Sequence, residues 1–166
     1  MKTLLILRHA KSSWKEPGRP DHDRPLNARG KHDAPRMGRL LRDEGLVPDV
    51  IISSTARRAR KTAAQAASEC GYQGDIEFTD DLYLAGPGTY LSVLRQLDDD
   101  FQRAMVVGHN PGLTALIETL TDEFEDFPTA ALAHLALPVK YWRDLRETTQ
   151  GELVRIWRPK ELDGSH

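Results

Sequence analysis

The chain has 166 residues, 39% of them hydrophobic and 29% charged, with a formal net charge of −2. That length suits one domain with a real core, and the near-neutral balance supplies no global field to hold nucleic acid or an anionic membrane. A single cysteine, Cys70, excludes an internal disulfide and a cysteine-rich zinc site; no apolar run approaches the ~20 residues of a bilayer span, and Met1-Lys2-Thr3 opens without a signal-peptide pattern, so a cytoplasmic protein is expected.

Leu4-Leu5-Ile6-Leu7 is a short unbroken aliphatic run, the pattern of a strand covered on both faces. Arg8, His9 and Lys11 follow directly. Open α/β sheets bind ligands beyond the carboxyl ends of their strands, so this strand end predicts an anion site, phosphate above all. Residues 12–25 carry Pro17, Pro20 and Pro25 among charged and small residues, which excludes regular helix or central strand. A loop of that length in a compact domain is often functional, and it is expected to fold over the site.

Residues 27–44 read as a helix, with Ala34, Met37 and Leu41 on one face and Asn27 as N-cap. Pro35 either kinks it or moves its start towards Asp33; Gly45 ends it. Residues 49–54 form a second buried strand running into a helix over 57–69, capped by Ser54 or Thr55. That helix carries Arg57, Arg58 and Arg60 in its first turn, against the macrodipole's preference for acids. A broken local rule without visible compensation points to function.

Residues 76–79 are a weak strand, 80–89 a loop, and 90–97 a short helix through Tyr90, Val93, Leu94 and Leu97. Residues 104–108 are another buried strand, followed by His109-Asn110-Pro111-Gly112. Asn110 as N-cap and Pro111 at the first helical position start a helix whose Leu113, Leu116, Ile117 and Leu120 share a face. A histidine thus sits where a strand end meets a helix N-terminus, which favours an anion. An acidic loop (122–129), a strand (130–137), a short helix or turn (139–145) and an alternating strand (152–157) complete the pattern. The alternation predicts a three-layer αβα fold with a mostly parallel open sheet. A single domain is expected over residues 1–158, with a loose C-terminal tail over 159–166.

Three strand ends therefore offer related groups: Arg8, His9 and Lys11; Arg57 and Arg58; His109 and Asn110. Guanidinium forks match phosphate oxygens, and an imidazole nitrogen can accept a phosphoryl group as a covalent nucleophile. Nearby arginines would stabilise the transferring group and favour the neutral imidazole that nucleophilic attack requires.

Arg8-His9-Ala10 after a first strand resembles the R-H-G/A signature of the histidine phosphatase superfamily, the phosphoglycerate-mutase-like fold. Residues 54–63, Ser-Thr-Ala-Arg-Arg-Ala-Arg-Lys-Thr-Ala, resemble its second motif, and Val106-Val107-Gly108-His109-Asn110-Pro111 its third. Chain length, Arg24-Pro25-Leu26 and the 108–112 segment look most like the SixA branch of protein phosphohistidine phosphatases. The resemblance implies a metal-independent phosphatase without cofactor. His9 is then the nucleophile, Arg8 and Arg58 clamp phosphate, and His109 contacts the transferring group. Arg57 is a rim neighbour, and Lys11 and Asn110 are further candidate substrate contacts. Larger members carry an acid in an L-x-E segment; here Leu82-Tyr83-Leu84 puts leucine in its place, with Asp80 and Asp81 off register. A phosphoramidate, which leaves as a neutral imidazole, tolerates that loss.

The implied partner is a phosphorylated substrate, a histidine-phosphorylated protein first, with neither nucleic acid nor membrane, on a monomer or weak oligomer. A small-molecule phosphomonoesterase using the same site and a non-catalytic phosphate- or phosphopeptide-binding module stay open. A dinucleotide-binding domain is disfavoured, since no G-x-G-x-x-G follows the first strand. His22 between two aspartates reads as part of a charged loop rather than a metal ligand. His32 and His166 read as solvent histidines, and His134 as a core histidine. Trp14, Tyr83 and Tyr141 are candidates for either pocket lining or packing.

Overall fold

A computed structural model describes residues 1–163. Its strands are β1 (Lys2–Arg8), β2 (Val50–Ser54), β3 (Glu77–Thr79), β4 (Arg103–Gly108), β5 (Leu132–Leu137) and β6 (Glu152–Trp157). They form one sheet in the order β3-β2-β4-β1-β5-β6. The β3-β2, β2-β4 and β4-β1 pairs are parallel, and β5 runs antiparallel to both β1 and β6. The helices are α1 (Ala28–Asp43), α2 (Arg57–Cys70), α3 (Pro87–Arg95), α4 (Gly112–Thr121) and the short α5 (Pro159–Asp163). Together they make the expected α/β architecture.

The four aliphatic residues of β1 explain the layering. Leu4 and Ile6 face one core with Tyr90, Leu91 and Leu94 of α3 and Leu113, Leu116 and Leu120 of α4. Leu5 and Leu7 face the other, with Ala34, Met37 and Leu41 of α1 and Ala59, Ala63 and Ala66 of α2. All four are fully buried, which stabilises the fold by about 1.5–3 kcal/mol per side chain. A strand with no polar face must be covered twice, and helical crossovers between parallel strands supply that cover.

Topology then gathers the candidate residues. Strand β4 lies between β1 and β2, so the carboxyl ends of all three are neighbours: Arg8 is in register with Gly108, and Ser53 with Val107. Residues placed at those three ends meet without long loops to carry them.

Several local expectations change. Helix α1 runs from Ala28 straight through Pro35; the carbonyl that proline leaves unpaired is that of Lys31, an exposed residue that water can serve. Asn27 caps it, its Oδ1 accepting from Gly30 N–H. Helix α3 begins at Pro87, three residues before Tyr90, because proline suits a first helical turn. Helix α2 has Ala56 at its N-cap and no side-chain cap, since the Ser54 and Thr55 hydroxyls bond other groups. Residues 159–163 are not a loose tail. They form α5, and Asp163 takes hydrogen bonds from Arg29 and Arg36 at 2.6 Å each. Residues 164–166, including His166, lie outside the described residues. Lys2 is buried at 1% exposure, where its ammonium donates to the Asp99 and Phe101 carbonyls.

Helices α1 and α2 touch at Gly38, where an added Cβ would stand 2.5 Å from the Ala66 carbonyl oxygen. Gly38→Ala gains at most about 1 kcal/mol of helix propensity against overpacking of about 1–3 kcal/mol. A net loss is expected, read as a lower urea midpoint with an unchanged slope; a raised midpoint would mean that the two helices separate freely.

Candidate active site

The backbone ladder continues past β1: His9 N–H donates to the Gly108 carbonyl at 3.0 Å. The His9 ring is buried, with Nδ1 2.8 Å from the Ala10 carbonyl oxygen. A carbonyl only accepts, so Nδ1 carries the hydrogen and Nε2 keeps its lone pair. Ala10 N–H in turn donates to Thr62 Oγ1 at 2.9 Å, and the Thr62 hydroxyl donates to the Arg58 carbonyl at 2.7 Å. Those bonds tie the end of β1 to α2.

The Ser54 Oγ at the end of β2 accepts from Ala56 N–H at 3.2 Å and lies 2.8 Å from His109 Nε2. The Ser54 hydroxyl has its own hydrogen to give to Nε2, and the tautomer that receives it carries the His109 proton on Nδ1. The His9 and His109 ring centroids are 5.1 Å apart. Arg8 Nη1 donates to the Phe127 carbonyl at 3.1 Å. Arg58 is 3% exposed and donates from Nη1 to the Asp21 carbonyl at 2.7 Å and from Nη2 to Asp21 Oδ2 at 3.0 Å.

Several buried polar atoms have no partner among the described residues, and three of them are Arg8 Nε, Arg58 Nε and His109 Nδ1. All three belong to the walls of one cavity of about 310 Å3, which His9 also lines. Leaving such a group unpaired costs about 1–3 kcal/mol, so three in one cavity describe a site shaped for an acceptor ligand. Two guanidiniums and an imidazole N–H around a nucleophilic nitrogen suit a tetrahedral oxyanion such as phosphate.

The electrostatics agree. Burial first, then the charges of Arg58, Arg8 and Arg24, push the His9 imidazole down to about 4, against the pull of its Ala10 bond. Burial, His9 and Arg58 push His109 down to about 3. Both rings are neutral at pH 7. Burial works to raise the Asp21 carboxyl, yet hydrogen bonds from Tyr83, Arg24 and Arg58 outweigh it and hold the group well below the usual carboxylate range. Asp21 is thus a fixed anion, bonded to the Tyr83 hydroxyl at 2.6 Å and to Arg24 Nε at 3.0 Å.

The fold brings Arg8, His9, Arg58 and His109 together as the motifs imply. Lys11 is exposed at the cavity's edge. Asn110 lines the cavity too, but its side chain braces α4: Oδ1 accepts from Thr114 N–H and Oγ1, and Nδ2 donates to the Phe127 carbonyl at 2.9 Å. Helix α4 itself starts at Gly112, one residue later than the Asn110 cap predicts. Arg57 points to the rim, 3.8 Å from Asp23. The 12–25 loop does fold over the site. Its Asp21 grips Arg58, and Trp14 stacks on Arg24 with the guanidinium carbon 3.6 Å from the ring centre. His22 bonds Thr55 and packs edge-on against Tyr83. His32 is exposed and His134 half-buried in β5, both away from the site. Sequence reading missed the contacts of Asp21 with Arg58 and of Ser54 with His109. A serine at the end of a wholly buried strand was a usable signal, because a buried hydroxyl needs a partner.

The ring assignments have a direct test. Imidazole nitrogen NMR should show His9 protonated on Nδ1 and His109 on Nδ1, with neither ring titrating between pH 7 and pH 5. A midpoint near 6.5 for either ring would contradict the buried, cation-flanked setting.

Residues 4–83 match the family profile described as the histidine phosphatase superfamily (branch 1). An uncharacterized protein of Mycobacterium tuberculosis (strain ATCC 25618 / H37Rv) is 35% identical over 150 residues, covering 84% of this chain and 91% of its own length. The crystal structure from Agrobacterium tumefaciens that bears the name phosphohistidine phosphatase SixA superposes with a TM-score of 0.81 at 33% identity, over 95% of this chain and 98% of that one. A protein histidine phosphatase SixA complexed with tungstate shares the fold, with a TM-score of 0.82 at 20% identity over 96% and 99% of the two chains. Matched in sequence and in fold over most of its length, the chain belongs to the histidine phosphatase superfamily and is a phosphatase.

Proposed function

We propose that the enzyme removes the phosphoryl group of protein phosphohistidine through a covalent intermediate on His9 Nε2. The observation that carries the substrate class is the composition of the cavity wall. No aspartate or glutamate is among its lining residues, and the exposed Leu84 stands where an acid would serve a poor leaving group. Asp21, the nearest carboxylate to Arg58, is held ionised and has no proton to give. An alkoxide leaves badly without an acid; a phosphohistidine ring already protonated on its other nitrogen leaves as neutral imidazole.

In this mechanism the His9 Nε2 lone pair attacks phosphorus while the substrate N–P bond breaks, its electron pair returning to the departing imidazole. Arg8, Arg58 and His109 Nδ1–H hold the phosphoryl oxygens through both transfers. Water then attacks phosphorus, the Nε2–P bond breaks, and inorganic phosphate leaves with the water proton passing to the phosphate or to solvent. The Nδ1–H···Ala10 bond keeps the ring's attacking nitrogen in place throughout.

Incubation with phosphoramidate should label the protein with an acid-labile, alkali-stable phosphoryl group. His9→Ala should abolish the label and lower kcat by at least about 1,000-fold, while EDTA leaves the rate unchanged. In a panel with sugar phosphates and nucleotides, phosphohistidine protein should give the highest kcat/KM. Full turnover by His9→Ala would overturn the covalent mechanism, and a preferred sugar phosphate would overturn the substrate class. With the substrate's own second ionisation divided out, kcat/KM should stay level from pH 7 to pH 5. The nucleophile is lost only as pH falls towards about 4, and a loss centred near 6.5 would contradict its setting.

A further inference from the structure

The first turns of α2 hold more positive charge than the phosphoryl cavity uses. Arg57, Arg60 and Lys61 turn away from His9 and line an open groove of about 650 Å3, with His22, Thr55 and Phe78 completing its walls. None of its lining residues is acidic. Arg60 and Lys61 are exposed, and their side chains make no hydrogen bond or ion pair among the described residues. The Arg57 side chain has, among the described residues, only Asp23 at 3.8 Å, and Asp80 is bonded by the Thr55 hydroxyl. Helix α2 has no side-chain cap and no acid in its first turn, so its dipole adds to the same positive field. Phe78, 46% exposed on the edge strand β3, adds an apolar anchor within the groove.

Two ring contacts link the groove to the site. His22 lies between them: its Nε2 is 2.9 Å from Thr55 Oγ1, and its ring packs edge-on against Tyr83 at 4.8 Å, which packs edge-on against His109 at 5.5 Å. Those two ring steps correspond to about three to four residues of extended peptide at ~3.3 Å each.

We propose that this groove docks an acidic stretch of the phosphoprotein substrate, about three to four residues from its phosphohistidine. The proposal rests on the reading of the substrate as protein phosphohistidine. Each exposed ion pair is weak and screened by salt; three together give a preference of about tenfold at low ionic strength.

The test uses two labelled peptides that differ only in carrying Asp/Glu or Ser/Asn at those positions, each in phosphohistidine and unphosphorylated form. Wild type is compared with Arg60→Glu/Lys61→Glu, whose turnover of p-nitrophenyl phosphate should match wild type and so report an intact site. Wild type should bind the unphosphorylated acidic peptide about tenfold more tightly and hydrolyse its phosphorylated form with about tenfold higher kcat/KM. Both ratios should fall to about one in the double variant and with added salt. A third peptide bearing lysines should bind the variant better than wild type. Equal handling of the two peptides by wild type, or an acidic preference kept by the variant, overturns the groove and leaves the phosphohistidine reading standing. Tighter binding of a thymidine oligonucleotide of equal charge also overturns it. Failure to hydrolyse either phosphopeptide while p-nitrophenyl phosphate is turned over sinks the phosphohistidine reading; binding of the unphosphorylated peptides alone then decides the groove.

Discussion

The hydrogen-bonded register of β1, β4 and β2 is the constraint on which the site depends. Parallel pairing puts three carboxyl ends on one edge, and the ladder extends one residue further through His9 N–H to the Gly108 carbonyl. His9 and His109 then sit on neighbouring strands, and Arg58 reaches them from the first turn of the helix that follows the third. Backbone bonds of this kind fix positions far more tightly than side chains on loops could. What enforces the register is apolar burial: a one-residue slip of β1 would exchange the two faces that Leu4–Leu7 present to the two cores.

Charge is the opposing force. Arg8, Arg24, Arg58 and Lys11 line a single small cavity, and like charges at that spacing repel. Asp126 offsets part of this repulsion at Arg8, and Asp21 does so at Arg58 and Arg24. Asp21 holds Arg58 and Arg24 together and is itself held by Tyr83. The ion pair is buried on the Arg58 side, where removing the acid alone would leave an uncompensated guanidinium. Neutral histidines are the other part of the answer, since two imidazolium ions beside these arginines would add to the repulsion.

Much of this was legible in the chain. The run Leu4–Leu7 announced a strand covered twice, and Arg8, His9, Arg58 and His109 stood at strand ends with motif spacing that single residues could not supply. Other features depend on contacts between residues far apart, to which periodicity is blind. Asp21 lies 37 residues from Arg58 in sequence, so its grip on that arginine has no local signature. Lys2 reads as a polar lead-in, yet carbonyls from the chain after α3 make its burial tolerable. Helix α5 begins with a proline and is only five residues long; its tie to Arg29 and Arg36 on α1, rather than propensity, holds it. The loop over 12–25 was readable as a cover, but its two ring contacts, Trp14 against Arg24 and His22 edge-on to Tyr83, were not.

The grip of Asp21 on Arg58 bears on how the enzyme meets its substrate. A free arginine side chain carries about 2 kcal/mol of rotamer entropy. In this protein both terminal nitrogens of Arg58 are already fastened by one hydrogen each to Asp21, and Nε has no protein partner among the described residues. The ordering cost is therefore incurred when the chain folds and is not charged again at each encounter. Arg58 therefore meets the phosphoryl oxygens with donors whose directions are set in advance, which makes it a gauge of where phosphorus sits rather than a flexible counter-ion that follows the charge.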